Sequence, residues 1–277
     1  MAEHKPRAFV CGHPIGHSRS PLIHGYWLNE LGIAGSYEPI DIAPDDFAGF
    51  MGGLVGAGWA GGNITIPHKE QAFALAAKRD AAAEHIGAVN TLWVEGRTIV
   101  GGNTDAFGFA ANLDARAGGW RSAETAIVLG AGGAARAVVH ALREAGLNEV
   151  LVVNRSAGRA DDIAAHFGGK VSGRNWSDLD SLLPRAGLLV NTTSLGMKGQ
   201  PDLEIDISSL PDGAVVSDII YAPLETPLLA QARARGLAAV DGLGMLLHQA
   251  VPGFERWFGI RPVVSDALRA YIVADLE

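Results

Sequence analysis

Cysteine is nearly missing from this 277-residue chain. Cys11 stands alone, which excludes an intrachain disulfide and any zinc site built on cysteine pairs. A surplus of positive charge is missing too: 22 lysines and arginines face 30 aspartates and glutamates, a formal net charge of −8. A general nucleic-acid-binding face is therefore not expected, although local basic spots can still hold phosphates. There is no charged low-complexity block, and charged residues make up only 19%, which argues against disorder. No uninterrupted apolar run approaches the roughly 20 residues of a membrane-spanning helix. The opening M-A-E-H-K-P-R has no apolar core of the kind a signal peptide needs, so a cytoplasmic location is expected. No internal repeat and no flexible linker is visible.

What is present is apolar residue, 48% of the chain and ample for a substantial core, and 36 glycines that favour tight turns. Along the first hundred residues, strand candidates at Ala8–Cys11, Ser36–Ile42, Ala60–Ile66, Ala88–Val94 and Arg97–Val100 alternate with helical stretches from Pro21 to Leu31, from Pro44, and from Glu70 to Ala77. Glu95-Gly96 predicts a hairpin, and the alternation predicts parallel pairing elsewhere. A helix is expected over Gly108–Ala117. Beyond it come strands at Val150–Val153, Leu188–Asn191, Ala214–Ile219 and Ala238–Val240, and helices at Arg159–Phe167, Pro227–Arg235, Met245–Phe258 and Ser265–Leu276.

The stretch T-A-I-V-L-G-A-G-G-A-A-R-A, Thr125 to Ala137, organises this second half. A short apolar strand runs into Gly130, Ala131, Gly132, Gly133 and Ala134 and then into an alanine-rich helix. The first glycine permits the turn, the second lets backbone approach a pyrophosphate at the helix N-terminus, and Ala135 takes the third fingerprint position. The next strand ends in Asn154-Arg155-Ser156, with Arg159 further on. NAD sites usually carry a carboxylate there for the ribose hydroxyls. Here no carboxylate would repel a 2′-phosphate, and two guanidiniums offer forked donors, so NADP is favoured. The alternative is that both arginines are solvated helix-start charges.

Polar motifs flank this unit. Ser18 and Ser20, two apart, would point the same way in an extended segment and could bind one carboxylate, or else cap the helix that follows Pro21. His13 and His17 have metal-pair spacing, but Pro14 and Gly16 forbid the helix that spacing needs, so no metal site is expected. His24, His68 and His85 read as structural. In N-I-T-I-P-H-K, Asn63 and Thr65 precede Lys69, a residue suited to acid–base work when desolvated. G-A-V-N-T adds Asn90, G-N-T-D adds Asp105, and D-G-L-G-M-L-L-H-Q-A adds Gln249. Each alone could be a turn or a cap. Together they form a polar set able to hold a small polyhydroxylated acid.

These motifs, with N-T-T-S-L-G-M and in this order from Gly12 to Gln249, resemble the shikimate dehydrogenase family. The resemblance implies a two-domain α/β fold. Residues 1–105, completed by 243–277, would form the substrate domain, and residues 106–242 an NADP-binding domain of Rossmann type. It implies that Ser18 and Ser20 bind the substrate carboxylate, that Asn63, Thr65, Asn90, Gln249 and Tyr221 face the substrate, and that Lys69 is the acid–base residue with Asp105 as partner. It implies that Gly130 to Ala134, Asn154 to Ser156, Arg159, Thr192, Ile219, Gly242 and Met245 hold NADP. The implied activity is reversible reduction of 3-dehydroshikimate in chorismate and aromatic amino-acid biosynthesis, by a monomer or homodimer with no nucleic-acid or membrane partner. Ser156 in place of a frequent threonine keeps the hydroxyl. The NAD-preferring quinate/shikimate paralogues carry an aspartate where Asn154 stands. An aminoshikimate-type enzyme and a non-catalytic NADP sensor are the remaining alternatives.

Overall fold

A computed structural model of the chain describes residues 5–276. Residues 1–4 of the opening segment read above, and residue 277 at the end of the expected C-terminal return, lie outside the described residues. The chain folds as two compact units. One runs up to Thr104 and is resumed by Gln249–Asp275; the other is Asp105–His248 with Leu276.

The first unit contains β1 (Arg7–Gly12), α1 (Ser20–Glu30), β2 (Ser36–Asp41), α2 (Phe47–Gly53), β3 (Gly61–Ile64), α3 (Lys69–Leu75), β4 (Lys78–Arg79), α4 (Ala81–Ile86), β5 (Thr91–Glu95) and β6 (Thr98–Gly102). They make one sheet in the order β2-β1-β3-β5-β6-β4. Parallel pairing holds for β1 with β2 and β3, and for β4 with β6. The hairpin expected at Glu95-Gly96 forms, with β5 antiparallel to β6 and Glu95 paired with Thr98, a connection so short that it can only reverse the chain. The parallel expectation fails between β3 and β5, which are antiparallel. The helix expected to reach Ala77 stops at Leu75, because Ala76 turns extended and feeds the two-residue β4. α4 was not legible, although it is well marked once seen: Asp80 caps it through Ala83 N–H at 2.7 Å, and Gly87 closes it at φ 77°. On one face of the sheet, Phe9, Cys11, Phe47, Met51, Ile64, Ala72, Val89 and Leu92 form a buried core. Burial pushes the Cys11 thiol up to about 12, so this cysteine is a packing residue and not a nucleophile.

The second unit begins with α5 (Asp105–Arg116), then β7 (Thr125–Leu129), α6 (Gly133–Glu144), β8 (Glu149–Asn154), α7 (Ala157–Phe167), β9 (Val171–Asn175), α8 (Leu179–Leu182), β10 (Leu188–Asn191), β11 (Val215–Asp218), α9 (Pro227–Ala234) and β12 (Ala238–Val240). Every pair in the order β12-β11-β10-β7-β8-β9 is parallel. β7 and β10 are buried along their whole length, as strands covered on both faces must be. β9, V-S-G-R-N, escaped sequence reading because it is a polar edge strand with no alternation. The order is that of a doubly wound dinucleotide-binding sheet, and the strand order reverses between β7 and β10. Two helices close the chain, α10 (Leu243–Phe258) and α11 (Asp266–Leu276). No helix among the described residues is long and apolar enough to cross a membrane.

The end of α5 is tied down electrostatically. Arg121 grips Asp114 bidentately, at 2.9 and 2.8 Å, and Trp120 donates its indole N–H to the same carboxylate at 2.8 Å. These donors hold the Asp114 carboxyl below the usual carboxylate range. Its stabilising contribution is therefore present above the ordinary value of 3.8 and is lost as pH falls through the lower folded value. Asp114→Asn is expected to reduce unfolding free energy by about 1 kcal/mol at neutral pH, the range for an exposed pair. The gap from the parent should shrink towards zero in acid; a gap independent of pH in urea titrations would refute the assignment.

Candidate functional site

In the first unit, parallel pairing carries the connections after β1 and β3 to the same sheet edge. They touch there: His13 N–H donates to Ile66 O at 3.1 Å and Thr65 N–H to Cys11 O at 2.9 Å. Gly12 makes this approach possible, since a Cβ on it would sit 2.5 Å from Thr65 Cγ2 and 2.9 Å from Ile66 O. The loop after β1 and the loop after β3 are thus brought side by side. Lys69 is half-buried and is the first residue of α3, one residue ahead of the helix start expected at Glu70. Ser18 and Ser20 are not in an extended segment either. Arg19 already has helical backbone, and Ser18 Oγ accepts from Ser20 N–H at 3.3 Å. The expected alternation therefore does not operate, and the two hydroxyls are related by a turn that begins the helix.

The carboxamides lie in one buried hydrogen-bonded chain. Asn63 accepts from Tyr37 OH at 2.6 Å and donates to Asn90 O at 3.2 Å and Thr91 Oγ1 at 3.3 Å. Asn90 Oδ1 receives Thr91 Oγ1 at 2.9 Å and Thr104 N–H at 2.9 Å. Thr104 Oγ1 lies 3.2 Å from Asn90 Oδ1 and 3.5 Å from Gln249 Oε1 on α10. The chain joins Asn63, Asn90 and Gln249, as expected, and adds Tyr37, Thr91 and Thr104, which sequence reading had not singled out as site residues. Asn63 is engaged by protein at both ends of its amide, so its geometry suits a structural role. Beneath it His24 is fully buried, stacked on Tyr37 with ring centroids 4.0 Å apart. Burial pushes His24 down to about 3, so it stays a neutral packing ring. His68 stacks on Phe47 and contacts Ile42 O at 2.7 Å, a second structural histidine. Among the described residues no group of three or more His, Cys, Asp or Glu could hold a metal ion.

In the second unit the candidates gather at the carboxyl ends of β7, β8, β10 and β11. Gly130 has φ 101°, a conformation glycine accepts and side chains resist. A Cβ there would meet Thr193 Cγ2 at 2.9 Å and Thr192 Oγ1 at 3.0 Å. Thr192 bonds Leu129 O through both its N–H, at 2.9 Å, and its hydroxyl, at 2.7 Å, so Gly130 and Thr192 face each other where the sheet order reverses. Gly132 and Gly133 open α6 with their Cα positions facing open space, and no acidic residue stands in its first turn. Ala131 and Ala134 flank them, half-buried, while Ala135 is fully buried against the sheet. The free amides of this helix start and the missing carboxylate fit a pyrophosphate. Asn154 folds back onto Ser156 O at 2.9 Å, and Arg155 and Arg159 stand exposed at the start of α7. That donor set fits a 2′-phosphate. Ile219 N–H bonds Asn191 O at 3.1 Å, and Gly242 N–H bonds Ile220 O at 2.9 Å. Tyr221 lies half-buried beyond β11, Met245 is half-buried in the first turn of α10, and Asp105 is the first residue of α5. Asp218, which sequence reading had passed over, is buried among these loops; its place in D-I-I-Y-A-P was the available signal.

Gly130→Ala is expected to cost on the order of 2 kcal/mol, from backbone strain and crowding of Thr192 and Thr193. Urea unfolding measures it, and a loss below a few tenths would contradict this account of the turn.

Residues 10–92 match the shikimate dehydrogenase substrate binding domain, residues 114–197 the shikimate/quinate 5-dehydrogenase domain, and residues 242–269 the shikimate 5′-dehydrogenase C-terminal domain. The shikimate dehydrogenase (NADP(+)) of Mesorhizobium japonicum is 60% identical over 276 residues, spanning 100% of this chain and 99% of its own. Shikimate 5-dehydrogenase from Thermus thermophilus, solved with NADP(H) and shikimate, superposes with a TM-score of 0.86 at 38% identity, over 97% of this chain and 99% of that one. Quinate dehydrogenase from Corynebacterium glutamicum, solved with NAD, gives 0.89 at 29% identity, over 98% and 99%. With a full-length relative at this identity and three matching family domains along its length, the chain belongs to the shikimate dehydrogenase family.

Proposed function

We propose that the chain is an NADP-dependent shikimate dehydrogenase that interconverts 3-dehydroshikimate and shikimate. The observation that carries the cofactor half is the end of β8, where Asn154 replaces a carboxylate and Arg155 and Arg159 stand exposed. The substrate half is supported by the polar chain from Asn63 to Gln249 and by the Ser18 loop and the start of α3 at Lys69. The fold is shared with a quinate dehydrogenase, so shikimate preference rests on the full-length 60% relative and on Asn154. In this reading residues 1–105 with 243–277 bind substrate and residues 106–242 bind NADP. The protein works in the cytoplasm as a monomer or homodimer.

NADPH, held by Gly130 to Ala134, Asn154 to Ser156, Arg159, Thr192, Ile219, Gly242 and Met245, would supply the hydride chemistry at the substrate's ketone carbon. The chain's own residues manage charge and position. Ser18 and Ser20 hold the carboxylate. Thr65, Asn90, Gln249 and Tyr221 orient the ring, with Asn63 behind them. Lys69, as an ammonium, stabilises the negative charge that grows on the carbonyl oxygen and then donates its proton there, completing the alcohol. Asp105 is the second acid–base residue of this reading. In the reverse direction neutral Lys69 takes that proton back. Positioning plus proton transfer is what such a site contributes to cofactor-borne redox chemistry.

Lys69→Ala is expected to lower kcat by roughly 10²- to 10⁴-fold, the worth of a general acid, with NADPH affinity by fluorescence titration little changed. Near-normal turnover would overturn the assignment. Replacing Arg155 and Arg159 together with Ala should weaken NADPH by on the order of 100-fold, two charge-assisted contacts, while leaving NADH nearly unaffected. Equal losses for both cofactors in parallel titrations would mean these arginines do not read the 2′-phosphate.

A further inference from the structure

Asp218, the last residue of β11, has no exposed surface, yet its carboxylate is surrounded entirely by donors. Oδ1 accepts from Ile220 N–H at 3.1 Å and from Asn191 Nδ2 at 3.1 Å; Oδ2 accepts from Thr226 Oγ1 at 2.8 Å. The direction of each bond is determined. A backbone N–H can only donate. Thr193 N–H donates to Asn191 Oδ1 at 3.0 Å, which turns the Asn191 amino group towards Asp218 and towards Leu195 O at 3.2 Å. Leu195 N–H donates to Thr193 Oγ1 at 3.1 Å, so the Thr193 hydroxyl turns its O–H to donate a hydrogen bond to Asn191 Oδ1 at 2.7 Å. Burial pushes the Asp218 carboxyl up, while the three donors pull it down.

Two loops and a helix start therefore converge on one carboxylate. The loop after β10 carries Thr192, the loop after β11 carries Ile219 and Tyr221, and Thr226 caps α9. We propose that Asp218 is a positioning residue for hydride transfer: Oδ1 sets the Thr192 loop and the Ile219–Tyr221 loop in register with each other, while Oδ2 is held by Thr226 at the start of α9. This rests on the functional reading above. Asp218→Ala leaves Asn191 Nδ2, Ile220 N–H and the Thr226 hydroxyl without their acceptor inside the protein, and the loops lose their common reference. Asp218→Asn keeps one oxygen for Asn191 and Ile220, and its amino group can donate to Thr226 instead.

The test compares both variants with the parent well below their melting temperatures. Asp218→Ala should lower kcat by about 10- to 100-fold, the scale of a small misplacement of reacting groups. It should also raise the NADPH dissociation constant by about tenfold, and amide exchange at residues 192–195 and 219–222 of the ligand-free protein should speed up by at least about tenfold. Asp218→Asn should stay within about threefold of the parent in all three readouts. If Asp218→Ala does not fold, Asn191→Ala removes the bond to Asp218 Oδ1 together with those to Leu195 O and from Thr193, all on the side of the first loop, and should reproduce the NADPH loss with exchange at 219–222 unchanged. Turnover, affinity and exchange within about twofold of the parent in whichever of these variants folds would overturn the proposal, as would a loss confined to melting temperature. A parent protein that fails to oxidise shikimate with NADP would refute the functional reading instead. Exchange in the ligand-free variants separates the two failures.

Discussion

Parallel strand pairing is the constraint on which the rest depends. In a parallel sheet every strand-to-helix connection leaves from the same edge, so residues far apart in sequence meet without any long loop. In the first unit this places the connections after β1 and β3 against each other, with Gly12 thin enough to let them touch. In the second it places Gly130, Asn154, Thr192 and Ile219 along one edge, at and around the point where strand order reverses. The first sheet departs from parallel pairing only at β5 and its neighbours, and that departure brings Asn90 and Thr104 together.

Each edge is then stiffened from behind by buried polar groups. In the first unit the hydrogen bonds run from Tyr37 through Asn63, Asn90 and Thr104 to Gln249. In the second they run from Leu195 through Thr193 and Asn191 to Asp218 and Thr226. Buried polar atoms are costly unless paired, and pairing each with named partners restricts the loops to one arrangement. The aromatic packing around His24 does the complementary task with dispersion alone, keeping a titratable ring neutral under Asn63.

Much of this was legible in the residues, element by element. β10 and β12 begin and end where the apolar runs do, because both are short, buried or flanked by turn formers. The glycine turn was legible to the single residue, since Gly130 is required by its own backbone angle. β9, α4 and α8 were not, being short or polar and held in place by neighbours instead of their own pattern. Ser18 and Ser20 were placed in the right loop but in the wrong conformation, because the helix begins one residue before Pro21.

By itself, then, the sequence determined the architecture of the nucleotide-binding unit and its cofactor class. Strand, turn, helix and the Asn154-Arg155 pair act within a few residues of one another, where propensity and charge are local quantities. Only tertiary structure decided which polar side chains are consumed by the protein. Asn63 and Asn90 look alike in a motif, but one is held at both ends by Tyr37, Asn90 O and Thr91, and the other receives Thr104 through Oδ1. Asp218 reads as a strand-end aspartate until Asn191, 27 residues earlier, is set beside it by the β10–β11 register. Hydrogen-bond partners at that separation follow from strand pairing, and no local pattern encodes them.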